Sequence, residues 1–307
     1  MKIGIPRALL YFEYGKFWEV FLEELGFEVV ISPPTNKSIV ANGVKFAHSD
    51  TCYPVKVAYG HTWWLHDRVD AILIPRYISM DKLRYMCPKF IGLPDTIKAS
   101  MGDKLPILLE PTFNAKEKPI ISGFYELGKK LNKPYFKVKH AIHLAELAYK
   151  EFISYRRKHK LKKAARLRIG FVARPYIAYD DYLNLRLFKI LEEYGVDVVL
   201  YESINPNTIK QKVHEVQKRI YYSMGERNVG AAFYFLDHEE LFDGVIYVIS
   251  FQCGPDSVLG ELILSKARKS KVALLPIVID EHASESGLRT RVEAFLDMLT
   301  RKKHRRV

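Results

Sequence analysis

Short apolar runs alternate with longer segments in which apolar residues recur at helical spacing. In the first part of the chain this pattern predicts strands at residues 2–5, 27–31, 71–75 and 106–110. It predicts one helix over about residues 12–25 and another that begins at Pro54, because proline is favoured in the first turn of a helix. A strand, a helix and a second strand in succession indicate the start of a βαβ fold.

The same alternation begins again after residue 167. Strands are predicted at residues 168–172, 196–201, 245–250 and 273–278, and helices at 182–194, 207–223, 255–269 and 289–301. Regular alternation implies right-handed crossovers and a mostly parallel sheet that is covered on both faces. We therefore predict two flavodoxin-like or Rossmann-like α/β domains, residues 1–118 and 167–307. A helical basic linker, residues 119–166 with a break near 132–134, joins them.

The composition is that of a globular protein, with 48% hydrophobic and 27% charged residues among 307. A disordered or collagen-like chain is excluded. No apolar run approaches the roughly 18 residues that a membrane span needs. The first residues are interrupted by Pro6, Arg7 and Glu13, which is not the pattern of a signal peptide. We expect a cytoplasmic protein with no membrane partner.

The formal net charge of +13 is concentrated in two runs. Residues 154–168 contain eight lysines or arginines and no acid, and the tail at 301–307 contains five and no acid. The runs are either a solvated linker helix and a tail, or a docking surface for an acidic partner or for substrate phosphates. Nucleic acid is disfavoured as a partner, since such binders usually interleave aromatic residues along a basic groove.

Loops that follow the carboxyl ends of parallel strands are the expected place for a ligand site. In this chain they contain Arg7, then Arg174 with Tyr176, then Cys253 with Asp256, and finally His282. The two arginines would clamp an anion such as a phosphate or carboxylate, or would form salt bridges. His282 and Glu281 would be a general acid and base, or an ordinary pair of loop residues.

The chain has three cysteines, and each lies beside a proline. Cys52 and Cys253 precede predicted helices, where backbone N–H groups and the helix dipole stabilise a thiolate. Cys87 falls in the long loop between two predicted strands. Three thiolates suit zinc with a fourth ligand, or an iron–sulfur cubane with one iron left open. Alternatively, the cysteines are small apolar side chains, and their odd number argues against a disulfide framework.

The residues around these positions resemble one known family over nearly the whole chain. The matching segments are residues 4–9, 17–27, 52–56 with 60–61, 174–176, 253–256 and 280–295. They are similar to the 2-hydroxyacyl-CoA dehydratase superfamily, and in particular to its activase-related branch. The chain is shorter than most dehydratase subunits, and it has fewer cysteines than the double-cubane relatives require.

This resemblance implies a subunit of α/β domains that binds one [4Fe–4S] cluster through Cys52, Cys87 and Cys253. His61 would donate a hydrogen bond near the cluster or shuttle a proton, or would be a partly exposed helix histidine. Asp256 would cap its helix or bond to the cluster loop, or would be a plain first-turn acid. Arg7, Arg174 and Tyr176 would bind an acyl-CoA substrate.

The resemblance also implies a partner. Members of the superfamily receive an electron from a separate ATPase reductase, the activase, and they often pair their subunits. This sequence contains neither a GxxxxGK[ST] phosphate loop nor a GxGxxG motif, so an ATP-dependent step would belong to the partner.

Two hypotheses follow. The first is an iron–sulfur protein that acts in ATPase-coupled low-potential electron transfer or in reductive dehydration, as a lyase or a reductase component. The second is a non-catalytic scaffold with zinc or no metal, whose basic linker and tail bind an acidic partner or nucleic acid.

Overall fold

The fold is α/β, with strands that pair in parallel, as the alternating pattern predicts. A computed structural model describes residues 1–158, 165–216 and 220–305. The chain divides into two compact units. Unit 1 comprises Met1–Tyr155 and Tyr221–Ser223, and unit 2 comprises Arg156–Ile220 and Met224–Val307. Most of the segment predicted as a linker is therefore part of unit 1, while residues 159–164 lie outside the described part.

Unit 1 is built on a four-stranded sheet in the order β2-β1-β3-β5 and a separate two-stranded sheet of β4 and β6. Its strands are β1 (Lys2–Ile5), β2 (Glu28–Ile31), β3 (Ala71–Leu73), β4 (Arg76–Ser79), β5 (Ile107–Leu109) and β6 (Thr112–Asn114). Its helices are α1 (Tyr11–Glu24), α2 (Lys37–Phe46), α3 (Tyr53–Leu65), α4 (Pro88–Ile91), α5 (Leu93–Met101), α6 (Ile121–Lys130) and α7 (Tyr135–Arg157), the last of which ends in unit 2.

Unit 2 has one four-stranded parallel sheet in the order β10-β9-β7-β8. Its strands are β7 (Leu167–Val172), β8 (Val196–Leu200), β9 (Gly244–Ser250) and β10 (Ala273–Ile279). Its helices are α8 (Pro175–Ala178), α9 (Leu187–Glu193), α10 (Pro206–Val213), α11 (Ser223–Asp237, which starts at a residue of unit 1), α12 (Gly254–Ala267) and α13 (Glu285–His304).

The two four-stranded sheets have the same topology. In each, the first strand pairs with the second on one side and with the third on the other, and the fourth lies beyond the third. This is the flavodoxin-like strand order, in which ligands bind where the chain reverses its direction across the sheet. That position lies at the carboxyl ends of β1 and β3 in unit 1, and of β7 and β9 in unit 2.

Several elements differ from the sequence-based expectation. The predicted helix at 207–223 is wrong in extent: α10 ends at Val213, and α11 begins at Ser223. Helix α2 was not predicted, although Asn36 caps it by accepting hydrogen bonds from the backbone N–H groups of Ser38 and Ile39. Asn42 and Gly43, which are poor helix formers, interrupt its apolar residues, so the asparagine cap is the clearest local mark of its start.

Helices α2 and α3 cross at very short range because glycines lie at the crossing. A Cβ on Gly60 would be 1.9 Å from the carbonyl oxygen of Ile39, and a Cβ on Gly43 would be 2.1 Å from that of Lys56. Any larger residue at either position would push the two backbones apart. Helix α3 follows Cys52, so this crossing also fixes the helix on which the first cysteine lies.

Each unit has its own core. In unit 1, Trp18 of α1 packs edge-on against Phe21 and Phe113, and its indole Nε1 donates a 2.9 Å hydrogen bond to the hydroxyl of Tyr77. In unit 2, Phe235 and Tyr247 are fully buried in a cluster between the sheet and the helices α11 and α12. Across the described ranges, no helix is both long enough and apolar enough to cross a membrane.

Candidate functional site

The three cysteines share one local geometry, although they are far apart in the sequence. Each is the N-cap residue of a helix with proline at one of its first two positions: Cys52 precedes α3, Cys87 precedes α4 and Cys253 precedes α12. Each has an extended backbone, as an N-cap requires. All three thiols therefore lie beside the positive end of a helix.

This arrangement corrects two details of the sequence interpretation. Pro54 and Pro255 occupy the second helical position, after Tyr53 and Gly254, and not the first. The sequence predicts a loop at Cys87, but this residue directly precedes the four-residue helix α4 as its N-cap. A helix this short carries no periodic signal in the sequence, so only the Cys-Pro pair marked its start.

Cys52 and Cys87 belong to unit 1, and Cys253 belongs to unit 2. All three are half-buried, and no disulfide joins them. Among the described residues there is no group of three or more His, Cys, Asp or Glu side chains that could hold a metal ion. The described part of the chain thus contains three similar thiol positions, and no metal cage is assembled among its residues.

His61, on α3, is completely buried and lies between two hydroxyl groups. Its Nδ1 is 2.8 Å from Ser32 Oγ, and its Nε2 is 2.9 Å from Thr35 Oγ1. Burial, together with the positive charge of Arg7, lowers the pKa of His61 to about 3. The imidazole is therefore neutral at ordinary pH, and both of its nitrogens are engaged within unit 1.

Ser32 and Thr35 had not been selected from the sequence. They follow β2 at the carboxyl edge of the sheet, and the backbone N–H of Arg7 donates a 2.8 Å hydrogen bond to Ser32 Oγ. The hydroxyls thus tie the loop after β1 and the loop after β2 to the buried histidine of α3. The sequence signal was the polar cluster Ser-Pro-Pro-Thr at residues 32–35, which closes a predicted strand.

Arg7 lies half-buried directly after β1, at the position where the fold predicts a ligand. Within the described ranges, its guanidinium has no ion-pair partner. A small cavity of about 50 Å³ adjoins the same strand ends, and Pro6, Tyr11, Pro75 and Tyr77 are among the residues that line it. This edge of unit 1 therefore combines a positive charge with an apolar recess.

Arg174 has a different environment at the matching position of unit 2. It caps α8 after β7, and its side chain forms a two-point ion pair with Asp256 of α12. The Nε–Oδ2 distance is 3.1 Å, and Nη2 also contacts Oδ1. The two side chains are 5% and 1% exposed. The guanidinium is thus committed to Asp256, and the carboxylate anchors the first turn of α12 next to Cys253.

Two tyrosines complete this cluster. Burial by itself would lower the pKa of the Arg174 guanidinium. Asp256, Tyr176 and Cys253 outweigh this effect, and together they raise that pKa above its usual value. Burial and Asp256 likewise raise the pKa of Tyr247, so the phenol stays protonated, and its hydroxyl donates to the backbone carbonyl of Asp256 at 3.4 Å. Tyr247 was missed from the sequence because, within an apolar strand, it is indistinguishable from a core aromatic residue.

His282 lies apart from the buried groups of unit 2. It is exposed in the turn after β10, where its backbone N–H donates a 3.0 Å hydrogen bond to Asp280 Oδ1. This bond shapes the turn that leads to α13. Tyr176, in contrast, is buried in α8. The predicted site residues therefore fall into a His61 group in unit 1, an Arg174–Asp256 group in unit 2, and an exposed histidine.

The sequence profile of a known family covers most of these positions. The CoA enzyme activase uncharacterised domain (DUF2229) matches residues 2–204, about two thirds of the chain, and the protein belongs to this family. The match includes Cys52, Cys87, His61 and Arg174, and it ends before Cys253 and Asp256. A comparison with curated proteins gives no match. Membership agrees with the activase-related part of the resemblance, while the wider dehydratase assignment stays a prediction.

Proposed function

We propose that this protein binds a single [4Fe–4S] cluster through Cys52, Cys87 and Cys253, and that it carries low-potential electrons in the activation of a CoA-dependent enzyme. The observation behind the proposal is the repeated geometry of the thiols. Every cysteine in the chain is the N-cap of a helix with proline in its first turn, in both units. Three unrelated core cysteines would not be expected to share this position.

The donor set suits the cluster chemically. Thiolates are the usual ligands of iron–sulfur clusters, and three of them leave one iron available. Helix N-termini favour the negative charge that such a cluster and its ligands carry. When bound, the cluster would supply one-electron transfer, and a fourth iron position would be open to a substrate oxygen.

The surrounding residues would position the ligands and keep the charge balanced. Asp256 and Arg174 hold the start of α12, and with it Cys253, in a buried frame. His61, neutral between Ser32 and Thr35, fixes the middle of α3, the helix that Cys52 begins. In this proposal both residues act on the helices that carry the cysteines, and neither moves a proton to a substrate.

Arg7 is the residue that we propose for substrate binding. Its guanidinium is half-exposed beside an apolar recess, whereas that of Arg174 is already paired with Asp256. A phosphate or carboxylate of an acyl-CoA would give Arg7 the anionic partner that the described residues do not provide. Tyr176 is buried in α8 and would contribute to the fold around Arg174.

The proposed electron donor is a separate ATPase. The family description supports a role beside an activated CoA enzyme, and the chain contains no phosphate-binding loop of its own. The reaction would be electron transfer coupled to ATP hydrolysis in that partner, and the acceptor would be the proposed cluster or an acyl-CoA substrate held near it.

Metal analysis tests the proposal directly. Protein purified without oxygen is assayed for iron, acid-labile sulfide and zinc, together with the variants Cys52→Ala, Cys87→Ala and Cys253→Ala. We expect about four irons and four sulfides per chain, as one cubane requires, and their loss in each variant. Ser38→Ala is the control: Ser38 lies in the first turn of α2, a helix whose N-cap is Asn36 and not a cysteine. This variant should keep the full iron content.

Other outcomes would overturn the proposal. Stoichiometric zinc that depends on the same cysteines would support the scaffold hypothesis instead. Iron that survives the Cys253→Ala substitution would show a ligand set confined to unit 1. Protein that contains no metal after anaerobic purification, and that cannot be reconstituted with iron and sulfide, would remove the redox role altogether.

A further inference from the structure

A surface on unit 1 that is remote in sequence from all three cysteines is both basic and aromatic. It is formed by the end of α6, the connection that follows, and the first turn of α7, and we call it the α6–α7 corner. Residues 127–145 contain five lysines and no acid. The basic character of this segment does not show in the net charge of the chain, because acidic residues elsewhere balance its five lysines.

The lysines of this corner are not neutralised within the described part of the chain. Lys129, Lys130 and Lys139 are exposed, and none of them forms an ion pair with another described residue. Lys133 extends over the ring of Phe27, with its Nζ 4.2 Å from the ring centroid. The first turn of α7 contains no acidic residue, so nothing there offsets the positive end of a 23-residue helix. The corner therefore presents uncompensated positive charge to solvent.

Two aromatic rings project from the same corner. Tyr135 is 66% exposed and Phe136 is 74% exposed, which is far more than a globular protein usually leaves open for such side chains. Tyr135 stacks on Tyr125 with the ring centroids 4.8 Å apart and the planes 10° from parallel. Since Tyr125 covers one face of the Tyr135 ring, the large exposed area indicates that the opposite face is open.

A ligand that satisfies both features must carry repeated negative charge and flat aromatic groups. Phosphates would pair with the lysines, and an unpaired base would extend the existing tyrosine stack. We propose that the α6–α7 corner binds single-stranded nucleic acid without sequence preference. Bases in a duplex are stacked on one another and cannot reach the Tyr135 ring, so single strands are the favoured form.

An anionic membrane is the main alternative, since lysines with an exposed phenylalanine also occur on surfaces that bind lipid headgroups. The ordered Tyr125–Tyr135 stack favours nucleic acid, because a parallel stack with one open face is a platform for a base. A bilayer would gain nothing from ring-to-ring alignment. The proposal does not depend on the cluster, and its failure would leave the proposed function unaffected.

The test measures binding of the full chain to a fluorescent oligothymidylate of about twenty nucleotides, longer than one typical single-strand site, by anisotropy over a range of salt concentrations. Three to five engaged lysines predict a slope of log K against log salt between about −2 and −3.5. We expect a duplex of the same length to bind more weakly. Vesicles of phosphatidylcholine and phosphatidylglycerol should not bind appreciably.

Variants separate stacking from charge. Tyr135→Ala should weaken binding about tenfold, whereas Tyr135→Phe should keep the affinity because the ring remains. The double variant Lys129→Gln/Lys130→Gln should reduce the magnitude of the salt slope by about 1.4. Arg301→Gln/Lys302→Gln, which removes equal charge from the end of α13, should change neither affinity nor slope. Circular dichroism checks that each variant is folded.

Any of four results would overturn the proposal. The first is equal affinity for single strand and duplex, and the second is equal affinity of Tyr135→Ala and the unaltered protein. The third is a loss of binding that follows the α13 variant and not the corner variant. The fourth is binding to anionic vesicles without binding to the oligonucleotide, which would assign the corner to a membrane surface.

Discussion

Arg174 and Asp256 are 82 residues apart in the sequence and form a two-point ion pair that is almost entirely buried in unit 2. The pair joins the segment that follows β7 to the first turn of α12, which follows β9. These two strands flank the point where the chain reverses its direction across the sheet. A charge in such a position is tolerated because its partner and its hydrogen bonds replace water. Removing one member should therefore cost far more than removing a surface ion pair.

Asp256→Asn should lower the free energy of unfolding by about 3–5 kcal/mol, because it leaves a buried guanidinium without its carboxylate. The measurement is urea denaturation followed by circular dichroism. The double variant Arg174→Met/Asp256→Leu should recover much of this loss, since both charges are removed together. Glu285→Gln, which removes a partner of exposed Arg186, is the surface control and should change stability by less than about 1 kcal/mol.

A single variant that costs no more than the surface control would show that water reaches the Arg174–Asp256 pair. The ion pair would then not hold the start of α12, and with it Cys253, in the way that we propose.

His61 should make stability depend on pH. Its pKa is about 3 in the folded protein, whereas a solvated histidine in the unfolded chain titrates near 6.5. The unfolded state therefore binds a proton first as the pH falls, and the contribution of the neutral imidazole is complete above pH 6.5 and is lost progressively down to pH 3. The expected loss is roughly 1.4 kcal/mol per pH unit within this window.

The measurement compares urea unfolding of the unaltered protein and His61→Gln between about pH 7 and pH 5, above the range where most carboxylates titrate. The variant should be less stable at pH 7 and should show a flatter pH dependence. His140→Gln, at an exposed position of α7, should retain the slope of the unaltered protein. Parallel pH profiles for the unaltered protein and His61→Gln would contradict the buried neutral state.

Gly60→Ala should destabilise unit 1 even though alanine is the better helix former by about 1 kcal/mol. The added methyl would be 1.9 Å from the Ile39 carbonyl oxygen, so α2 and α3 must separate. We expect a net loss of about 2 kcal/mol or more, measured by thermal or urea unfolding. Gly254→Ala is the matched control, because a Cβ there meets no atom within 4 Å; equal effects at the two positions would refute the close crossing.

Tyr77→Phe should reveal the buried hydrogen bond of Trp18. The substitution keeps the ring but leaves the indole N–H without its acceptor in the aromatic core of unit 1. The expected loss is about 1–3 kcal/mol in the free energy of unfolding, with a change in tryptophan fluorescence. Tyr221→Phe, at a position that is 65% exposed, should have little effect. A neutral Tyr77→Phe would indicate that water can replace the hydroxyl.

Much of the architecture could be predicted from the sequence alone. Strands such as residues 2–5 and 245–250 are short apolar runs bounded by turn residues, so their position depends little on tertiary context. The alternation of these strands with helices was enough to predict parallel sheets, and the structure confirms this. The break at residues 132–134 was likewise predicted from Asn132 and Pro134, and α6 and α7 end and begin on either side of it.

Elements without a strong local signal could not be predicted. The start of α11 was missed because it follows residues that form no clear boundary, and α4 is only four residues long. For the site, the prolines after Cys52 and Cys253 predicted two helix starts, whereas the start of α4 at Cys87 was not predicted. The exact helical position of each proline depends on how the preceding loop packs.

The sequence by itself determined the fold class, the positions of Cys52 and Cys253 at helix starts and the absence of a phosphate-loop motif, because each depends on residues that are neighbours in the chain. Only the tertiary structure decided that Asp256 pairs with Arg174, that Ser32 and Thr35 enclose His61, and that Tyr135 stacks on Tyr125. Burial and partner choice set the charge and the exposure of these side chains. The charge and the exposure of a side chain both depend on packing between segments that are not adjacent in the sequence.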